Sequence, residues 1–240
     1  AWLVLTTTDT LMLTYFRTLE EVALYQAALP IESILSFFST SLIIVLFPLS
    51  TELWVSKKYA ELRQLLPSLY RYLFMIVLPV ALLFVVYPEE ILAFLFGVRY
   101  IGASVVLRIF ALGSLLSVFA MTTMMILLGI GNPRRVALLS LSACVLNVVL
   151  NFILIPPYGI IGASVATVAS YALLFFLTFR SLRSSVSFSV PLSSFLLMLF
   201  AGILFAAVLF ALKAYLPLQG IVLVLSSSLV AGLFYLIALF

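Results

Sequence analysis

Four polar side chains lie inside long apolar stretches of the sequence, and together they could bind an ion: Asp9, Asn147, Asn151 and Thr167. A carboxylate costs roughly 2.5–3.5 kcal/mol at the centre of a membrane on the insertion scale, so Asp9 requires a wet cavity, a cation or hydrogen-bonding partners. Asn147 and Asn151 are four residues apart, which places both amides on one face of a helix. One carboxylate, two amide oxygens and one hydroxyl carry a single negative charge, which suits a monovalent hard cation better than a divalent or soft metal.

These side chains form a site only if the helices that carry them are neighbours. The short turn at residues 156–159 makes the helices before and after it antiparallel neighbours. Asn151 and Thr167 lie at comparable distances from that turn along the chain, so we expect them at comparable depth. A cation site then requires that the helix of Asp9 packs beside them. The alternative is that the amides and the hydroxyl bond across helices and that Asp9 is solvated.

Two further features have both functional and structural interpretations. Glu32 follows Pro30 early in a predicted helix, where it would either line a cavity or lie at the outer interface. Gly162, Ala166 and Ser170 recur every four residues, which is the close-approach pattern of packed membrane helices. We interpret these three small residues as a helix-packing surface.

The residue inventory leaves little for catalysis. The sequence contains no histidine and one cysteine, Cys144, which excludes a His/Cys zinc site, a Ser-His-Asp triad, a Cys-His dyad and a disulfide framework. The turn at residues 129–133 lacks the lysine and the hydroxyl of a nucleotide-binding Walker loop. We therefore predict no enzyme, no catalytic residue, no metal beyond the monovalent cation, and no cofactor other than a coupling ion.

The composition places these residues in a membrane. Of the 240 residues, 66% are hydrophobic and only 8% are charged, and the mean hydropathy is +1.37; soluble domains have about 25% charged residues. At about 20 residues per spanning helix, we predict an all-α integral membrane protein. Its helices, about eight, run to Phe16 and over Ala23–Phe47, Leu69–Tyr87, Ser104–Leu128, Arg135–Ile155, Ile160–Phe179, Leu192–Leu212 and from Leu216 onwards.

Three other expectations concern the organisation of the chain. A short amphipathic helix is expected at the membrane interface within residues 51–68. Eight of the 12 Lys and Arg residues lie after the second, fourth and sixth predicted helices, so we expect those loops, and the start of the chain, in the cytoplasm. The net charge of +4 reflects this orientation, and we expect the lipid bilayer rather than nucleic acid as a partner. Both ends lie in apolar runs, so we expect a piece of a longer protein.

Several motifs resemble those of a transporter family. Residues 146–156 read LNVVLNFILIP and residues 158–163 read YGIIGA. This pattern is similar to that of the polysaccharide-biosynthesis flippases in the multidrug/oligosaccharidyl-lipid/polysaccharide exporter superfamily. Weaker likenesses occur at residues 22–28 (VALYQAA), 47–50 (FPLS) and 95–100 (LFGVRY). Together they cover about residues 9–179.

The resemblance implies a fold, an activity and partners. Members of the family have about fourteen helices in two six-helix lobes, so residues 1–180 would form the second lobe and residues 181–240 two additional C-terminal helices. The implied function is flipping of a lipid-linked oligosaccharide across the cytoplasmic membrane by alternating access, with Na⁺, or H⁺ on Asp9, as the coupling ion. The implied partners are an isoprenoid-linked glycan and a preceding N-terminal lobe. That lobe would hold the head-group site, because the middles of these helices carry no arginine.

Two other functions are compatible with parts of the sequence. A cation-coupled multidrug or metabolite exporter of the same superfamily would share the fold and differ in the charge of its cavity. A membrane-embedded glycan polymerase would need catalytic residues in a large outer loop. The outer loops here are short, which disfavours the polymerase.

Overall fold

Helices form all the regular structure in the computed structural model, which describes residues 2–189, 192–215 and 220–239. The α-helices are α1 (Trp2–Phe16), α2 (Leu19–Val55), α3 (Tyr59–Val86), α4 (Pro88–Phe96), α5 (Ser104–Gly129), α6 (Pro133–Ser185), α7 (Leu192–Tyr215) and α8 (Gly220–Leu239). A 3-10 helix, Val98–Ala103, joins α4 to α5. Five of the described helical segments are long and apolar enough to cross a membrane. The predicted all-α membrane fold is confirmed.

The longest helix, α6, consists of two antiparallel arms, residues 133–158 and 160–185. Gly159 separates the arms with φ of 56° and ψ of −132°, a backbone conformation that favours glycine. Pro156 and Pro157 precede it and remove two helical hydrogen bonds at the same point. Asn147 of the first arm donates to the hydroxyl of Thr167 in the second arm, so the arms lie side by side. They correspond to the predicted helices 135–155 and 160–179.

The centre of the bundle is α5, which contacts α2, α3 and α6. Its buried side chains include Leu107, Phe110 and Leu127. A side chain at Gly113 would collide with Val168 of α6, so the glycine permits these two helices to approach closely. On the far side of the bundle, α7 packs against α3 and α8. This arrangement leaves α1 against α6 and α2, where the polar residues of interest lie.

Ion pairs join three helices at the end that the basic residues predict to face outward. Arg108 of α5 pairs with Glu89 of α4 at 2.6 Å, and Lys213 of α7 pairs with Glu90 of α4 at 2.9 Å. The sequence-based prediction did not include α4. This helix begins with Pro88 at its first position and has both glutamates in its first turn, where the helix dipole favours negative charge.

The segment between α2 and α3 differs from the expected interfacial helix, and that prediction is wrong. Here α2 continues to Val55, α3 begins at Tyr59, and the chain reverses within residues 56–58, with Lys57 at φ of 58°. Leu53, Leu62 and Leu66 are buried because they belong to the inward faces of these two helix ends. The amphipathic pattern therefore comes from two long helices. The predicted start of the last helix at residue 216 lies outside the described residues.

Candidate functional site

The four polar residues singled out in the sequence meet around Asp9. Its side chain is only 1% exposed, and Asn147 and Asn151 are fully buried. One carboxylate oxygen, Oδ1, accepts a hydrogen bond from the amide nitrogen of Asn151. The other, Oδ2, accepts from the hydroxyl of Thr167 at 2.5 Å and from that of Tyr25 at 2.8 Å. We call these five side chains the Asp9 cluster: Asp9, Tyr25, Asn147, Asn151 and Thr167.

The two amides connect the members of the Asp9 cluster to one another. The Nδ2 atom of Asn151 also donates to Oδ1 of Asn147 at 3.1 Å, and Nδ2 of Asn147 donates to Oγ1 of Thr167 at 3.4 Å. The cluster thus joins α1, α2 and both arms of α6 at one depth. The carboxylate, the two amides and the hydroxyl thus converge, and Asn151 and Thr167 reach Asp9 from the two arms of the hairpin.

Local sequence explains why each helix delivers its side chain to this point. Asn147 and Asn151 share a helix face at a spacing of four residues, and the reversal at Gly159 brings Thr167 opposite them. Gly162, Ala166 and Ser170 are buried on the second arm. A Cβ atom at Gly162 would collide with the backbone carbonyl of Leu154, so the two arms could not approach as closely with any larger residue.

The hydrogen-bonding capacity of the cluster is incomplete. Oδ1 of Asn151 is buried and has no hydrogen-bond partner among the described residues. The Thr167 hydroxyl lies within hydrogen-bond distance of Asp9 and, at 3.1 Å, of the Ala163 carbonyl, but it has one hydrogen and can serve only one of them. Asp9 takes part in none of the ion pairs of the described part of the chain. Asn151 therefore presents its amide nitrogen to the buried carboxyl group of Asp9, while its amide oxygen stays without a partner among the described residues.

A groove of about 520 Å³ adjoins the cluster between α1 and α2. Thr7 and Thr10 of α1 line it together with Gln26 of α2, and Gln26 donates to Oγ1 of Thr10 at 2.8 Å. Because Thr10 follows Asp9 and Gln26 follows Tyr25 in the chain, the groove lies on the outer surface of the same two helix segments. Leu11 and Leu29 complete its lining, and none of the five cluster side chains belongs to it.

Arg17 holds the end of α1 against the hairpin of α6. Its guanidinium donates to the carbonyls of Ile155 at 3.2 Å and Pro156 at 2.7 Å, and it lies 3.8 Å from the carboxylate of Glu21. These carbonyls lie at the end of the first arm of α6, where the helix dipole and the prolines leave oxygens in need of donors. The contact fixes α1 against the hairpin about two turns from the Asp9 cluster.

Two residues lie differently from the simplest sequence-based interpretation. Glu32 lies apart from the Asp9 cluster: it is 6% exposed and accepts from the Ser36 hydroxyl at 3.3 Å. The solvated position considered for Asp9 is excluded by its burial. Tyr25 was missed, since an aromatic residue near a helix end resembles an interfacial anchor. Its position at the depth of Asp9 on the next helix is the signal that could have identified it.

Comparison with known proteins matches residues 2–153 to the family model described as MatE. An uncharacterized membrane protein of Methanocaldococcus jannaschii is 36% identical over 164 residues, which are 68% of this chain and 32% of that protein. A probable low-salt glycan biosynthesis flippase of Haloferax volcanii, Agl15, is 29% identical over 75% of this chain and 38% of its own length. The chain thus spans about a third of the length of these relatives.

A solved structure has the same fold at low sequence identity. It is the lipid II flippase MurJ in an inward closed conformation, with a TM-score of 0.83 and 16% identity. The match covers 98% of this chain and 50% of that one. Nearly all of the present helices, including α7 and α8, therefore have counterparts in one half of a larger helical membrane protein.

Proposed function

Because this chain belongs to the MatE family, we propose that it is one half of a transporter that flips a lipid-linked oligosaccharide across the cytoplasmic membrane. Residues 1–180 would form a six-helix lobe, residues 181–240 would add two helices, and a second lobe would complete the transport path. The name of the Haloferax relative supports a glycan precursor as the substrate class. The LNVVLNFILIP and YGIIGA motifs support the same class. The fold shared with MurJ supports the two-lobed arrangement.

The observation that carries an ion-coupled mechanism is the Asp9 cluster. A cation there would be held by the carboxylate of Asp9, the amide oxygens of Asn147 and Asn151, and the hydroxyl oxygen of Thr167. A turn of the Asn151 amide, whose nitrogen bonds to Asp9 in this structure, would bring its unpartnered Oδ1 to the ion, and the buried charge of Asp9 would be neutralised. A single negative charge among oxygen ligands favours Na⁺ over divalent ions, and a proton on Asp9 is the alternative.

Ion binding can drive a conformational change only if it favours one conformation over another. The Asp9 cluster provides such a difference, because its members come from α1, α2 and both arms of α6. Any movement of α1 relative to α6 would separate the ligands and lower the affinity for the ion. A bound cation would therefore hold α1 against α6, and α2 would follow through the bond from Tyr25 to Asp9. Its release would let them move, as alternating access requires.

Such coupling would draw its energy from the membrane potential. One elementary charge that crosses the membrane potential gains about 2.3 kcal/mol per 100 mV. The head group of a lipid-linked oligosaccharide would cross in a polar cavity, while its tail stays in the bilayer. The head-group contacts would come from the second lobe, since the basic side chains of the described residues lie toward the helix ends, form ion pairs or, like Arg71 in the middle of α3, are exposed.

Transport by matched threonine variants tests this proposal. Thr167→Val removes a hydroxyl of the Asp9 cluster, whereas Thr178→Val on the same arm removes a buried hydroxyl that bonds only to its own helix. In reconstituted vesicles, we expect flipping of a lipid-linked oligosaccharide to depend on a Na⁺ gradient in the wild type and in Thr178→Val. In Thr167→Val we expect that dependence to be lost.

Two results would contradict the proposal in separate ways. If flipping depends equally on Na⁺ and on pH in Thr167→Val and Thr178→Val, the Asp9 cluster takes no part in ion coupling. Transport of a cationic drug in the same vesicles, with no flipping of a lipid-linked glycan, would instead assign the protein to the exporters of its superfamily.

A further inference from the structure

The end of α6 that is predicted to face the cytoplasm carries positive charge that no acidic side chain of this helix balances. Arg134 and Arg135 lie in the first turn of the first arm, and Arg180 and Arg183 lie near the end of the second. All four are exposed, and α6 contains no aspartate or glutamate. None of them belongs to an ion pair within the described part of the chain.

The hairpin brings the arginines of both arms to one level. Arg135 and Arg183 lie at equal distances along the chain from Gly159, where the direction reverses. The N–H groups at the start of α6 add to the positive charge, because a helix N-terminus is partly positive and this one has no acidic residue in its first turn. At the opposite end of the protein, by contrast, Arg17 and Arg108 pair with glutamates. The arginine end of α6 therefore favours an anion from outside the described chain.

A recess of about 360 Å³ adjoins the two arginines of the second arm. Its lining residues follow one another at spacings that place them on one side of the helix: Phe176, Phe179, Arg180, Arg183 and Ser184. Phe179 also packs against Phe188, with 5.7 Å between the ring centroids, so the segment after α6 holds this aromatic wall in place. The recess is thus aromatic on the side toward Gly159 and basic at the end of the helix.

The length of the second arm places this recess at the boundary of the hydrocarbon core. At about 1.5 Å per residue, Phe176 is about 26 Å and Arg180 about 32 Å from the reversal at Gly159. The hydrocarbon core of a bilayer is about 30 Å thick. Phe176 is 62% exposed on this spanning segment, so its ring faces hydrocarbon. The recess therefore presents an apolar surface to a lipid chain and basic groups to a lipid head group.

We propose that this recess binds an anionic phospholipid of the cytoplasmic leaflet. The phosphate lies between Arg180 and Arg183, because planar guanidinium groups donate paired hydrogen bonds to phosphate oxygens. One hydrocarbon chain lies along Phe176. A soluble phosphate would leave this aromatic surface uncovered, and an acidic peptide would have to enter the hydrocarbon core to reach it. The bound lipid is distinct from the transported one, and its binding does not depend on an ion at Asp9.

Native mass spectrometry of the purified full-length protein tests this site by titration with phosphatidylglycerol and with phosphatidylcholine. We expect the wild type to bind the anionic lipid more tightly. A double variant with Arg180→Gln and Arg183→Gln should bind phosphatidylglycerol about 25-fold more weakly, at about fivefold for each basic residue near an anionic lipid. Its affinity for phosphatidylcholine should not change.

The matched control removes two arginines of α3 that do not line the recess. Arg63 and Arg71 are exposed on the same predicted side of the membrane, so Arg63→Gln with Arg71→Gln makes the same change of net charge. We expect this control to bind phosphatidylglycerol as the wild type does. Because all four arginine side chains are exposed, we expect both double variants to fold.

Three results would overturn the proposal. Equal weakening in the two double variants would show that the arginines act only through the general positive charge of this side. Equal affinity of the wild type for the two lipids would exclude an anion site. Glycerol 1-phosphate, which is the charged part of the head group without the chains, should not displace phosphatidylglycerol. If it does so at the concentration of the lipid, the recess binds a soluble anion and not a lipid.

Discussion

Replacement of Asn151 by leucine separates the structural role of the Asp9 cluster from ion binding. Asn151→Leu keeps most of the side-chain volume but removes the donor to Asp9 and to Asn147. A bond to a charged group contributes about 1.5–3 kcal/mol and a neutral bond such as that to Asn147 about 0.5–1.5 kcal/mol, so the loss is about 2–4.5 kcal/mol. The substitution also removes the unpartnered Oδ1, whose burial costs about 1–3 kcal/mol. We therefore expect a net loss of about 1 kcal/mol without Na⁺.

The effect of Na⁺ on stability should be much larger than this difference. A ligand at a hundred times its Kd stabilises the folded state by about 2.7 kcal/mol. For a chain of this size, about 2–4 °C of Tm corresponds to 1 kcal/mol, so the wild type should gain about 5–11 °C. Asn151→Leu should lose this gain, because the amide oxygen that would hold the ion is gone.

The measurement is thermal unfolding in nanodiscs with NaCl against choline chloride at equal ionic strength. Asn132→Leu is the matched control, since Asn132 lies in the turn before α6 and its side chain makes no capping hydrogen bond. We expect this control to keep the full response to Na⁺. If Asn151→Leu keeps the full response to Na⁺ as well, Asn151 is not a ligand, and the hydrogen bonds of the cluster serve only to pack the helices.

Two further predictions concern packing and orientation. Gly162→Leu should lower the free energy of unfolding by several kcal/mol, because the side chain would meet the carbonyl of Leu154. Gly232→Leu, in open space on α8, should have little effect. Equal stability of the two variants would contradict the packing argument. In a background without the native cysteine, a cysteine near Pro157 should react with an impermeant reagent in intact cells, and one near Arg134 should be protected; the opposite labelling would reverse the orientation.

The sequence was sufficient to predict the convergence of Asn151 and Thr167. Hairpin geometry is local: a short turn between two helices places residues at equal distances from it at equal depth. The sequence does not show that Asp9 lies beside them, since hydropathy does not specify which helices pack together. The cation site was therefore predicted on the condition that the helix of Asp9 packs there. The structure meets that condition through contacts of α1 with α6 and α2.

The features that could not be predicted depend on long-range packing. Leu62 and Leu66 alternate with charged residues in a pattern that fits an interfacial helix, and only their burial shows that they belong to α3. The short helix α4 has an apolar composition that merges with the preceding span. Its start is marked by Pro88 and two glutamates, a local signal that can be recognised once the end of α3 is known.

The wide sequence separation within the Asp9 cluster has a consequence for biogenesis. Asp9 and Asn151 are 142 residues apart, so at about 5–20 residues per second the ribosome needs about 7–30 s to supply the second after the first. During that time, α1 can bond to α2, because Tyr25 follows Asp9 by 16 residues and Gln26 follows Thr10 by 16 residues. The hydroxyl of Tyr25 can thus bond to Asp9 before the rest of the cluster has been synthesised. We therefore expect α2 to lower the free-energy cost of inserting α1 into the membrane. The other hydrogen bonds of Asp9 form only when the second arm of α6 has folded back.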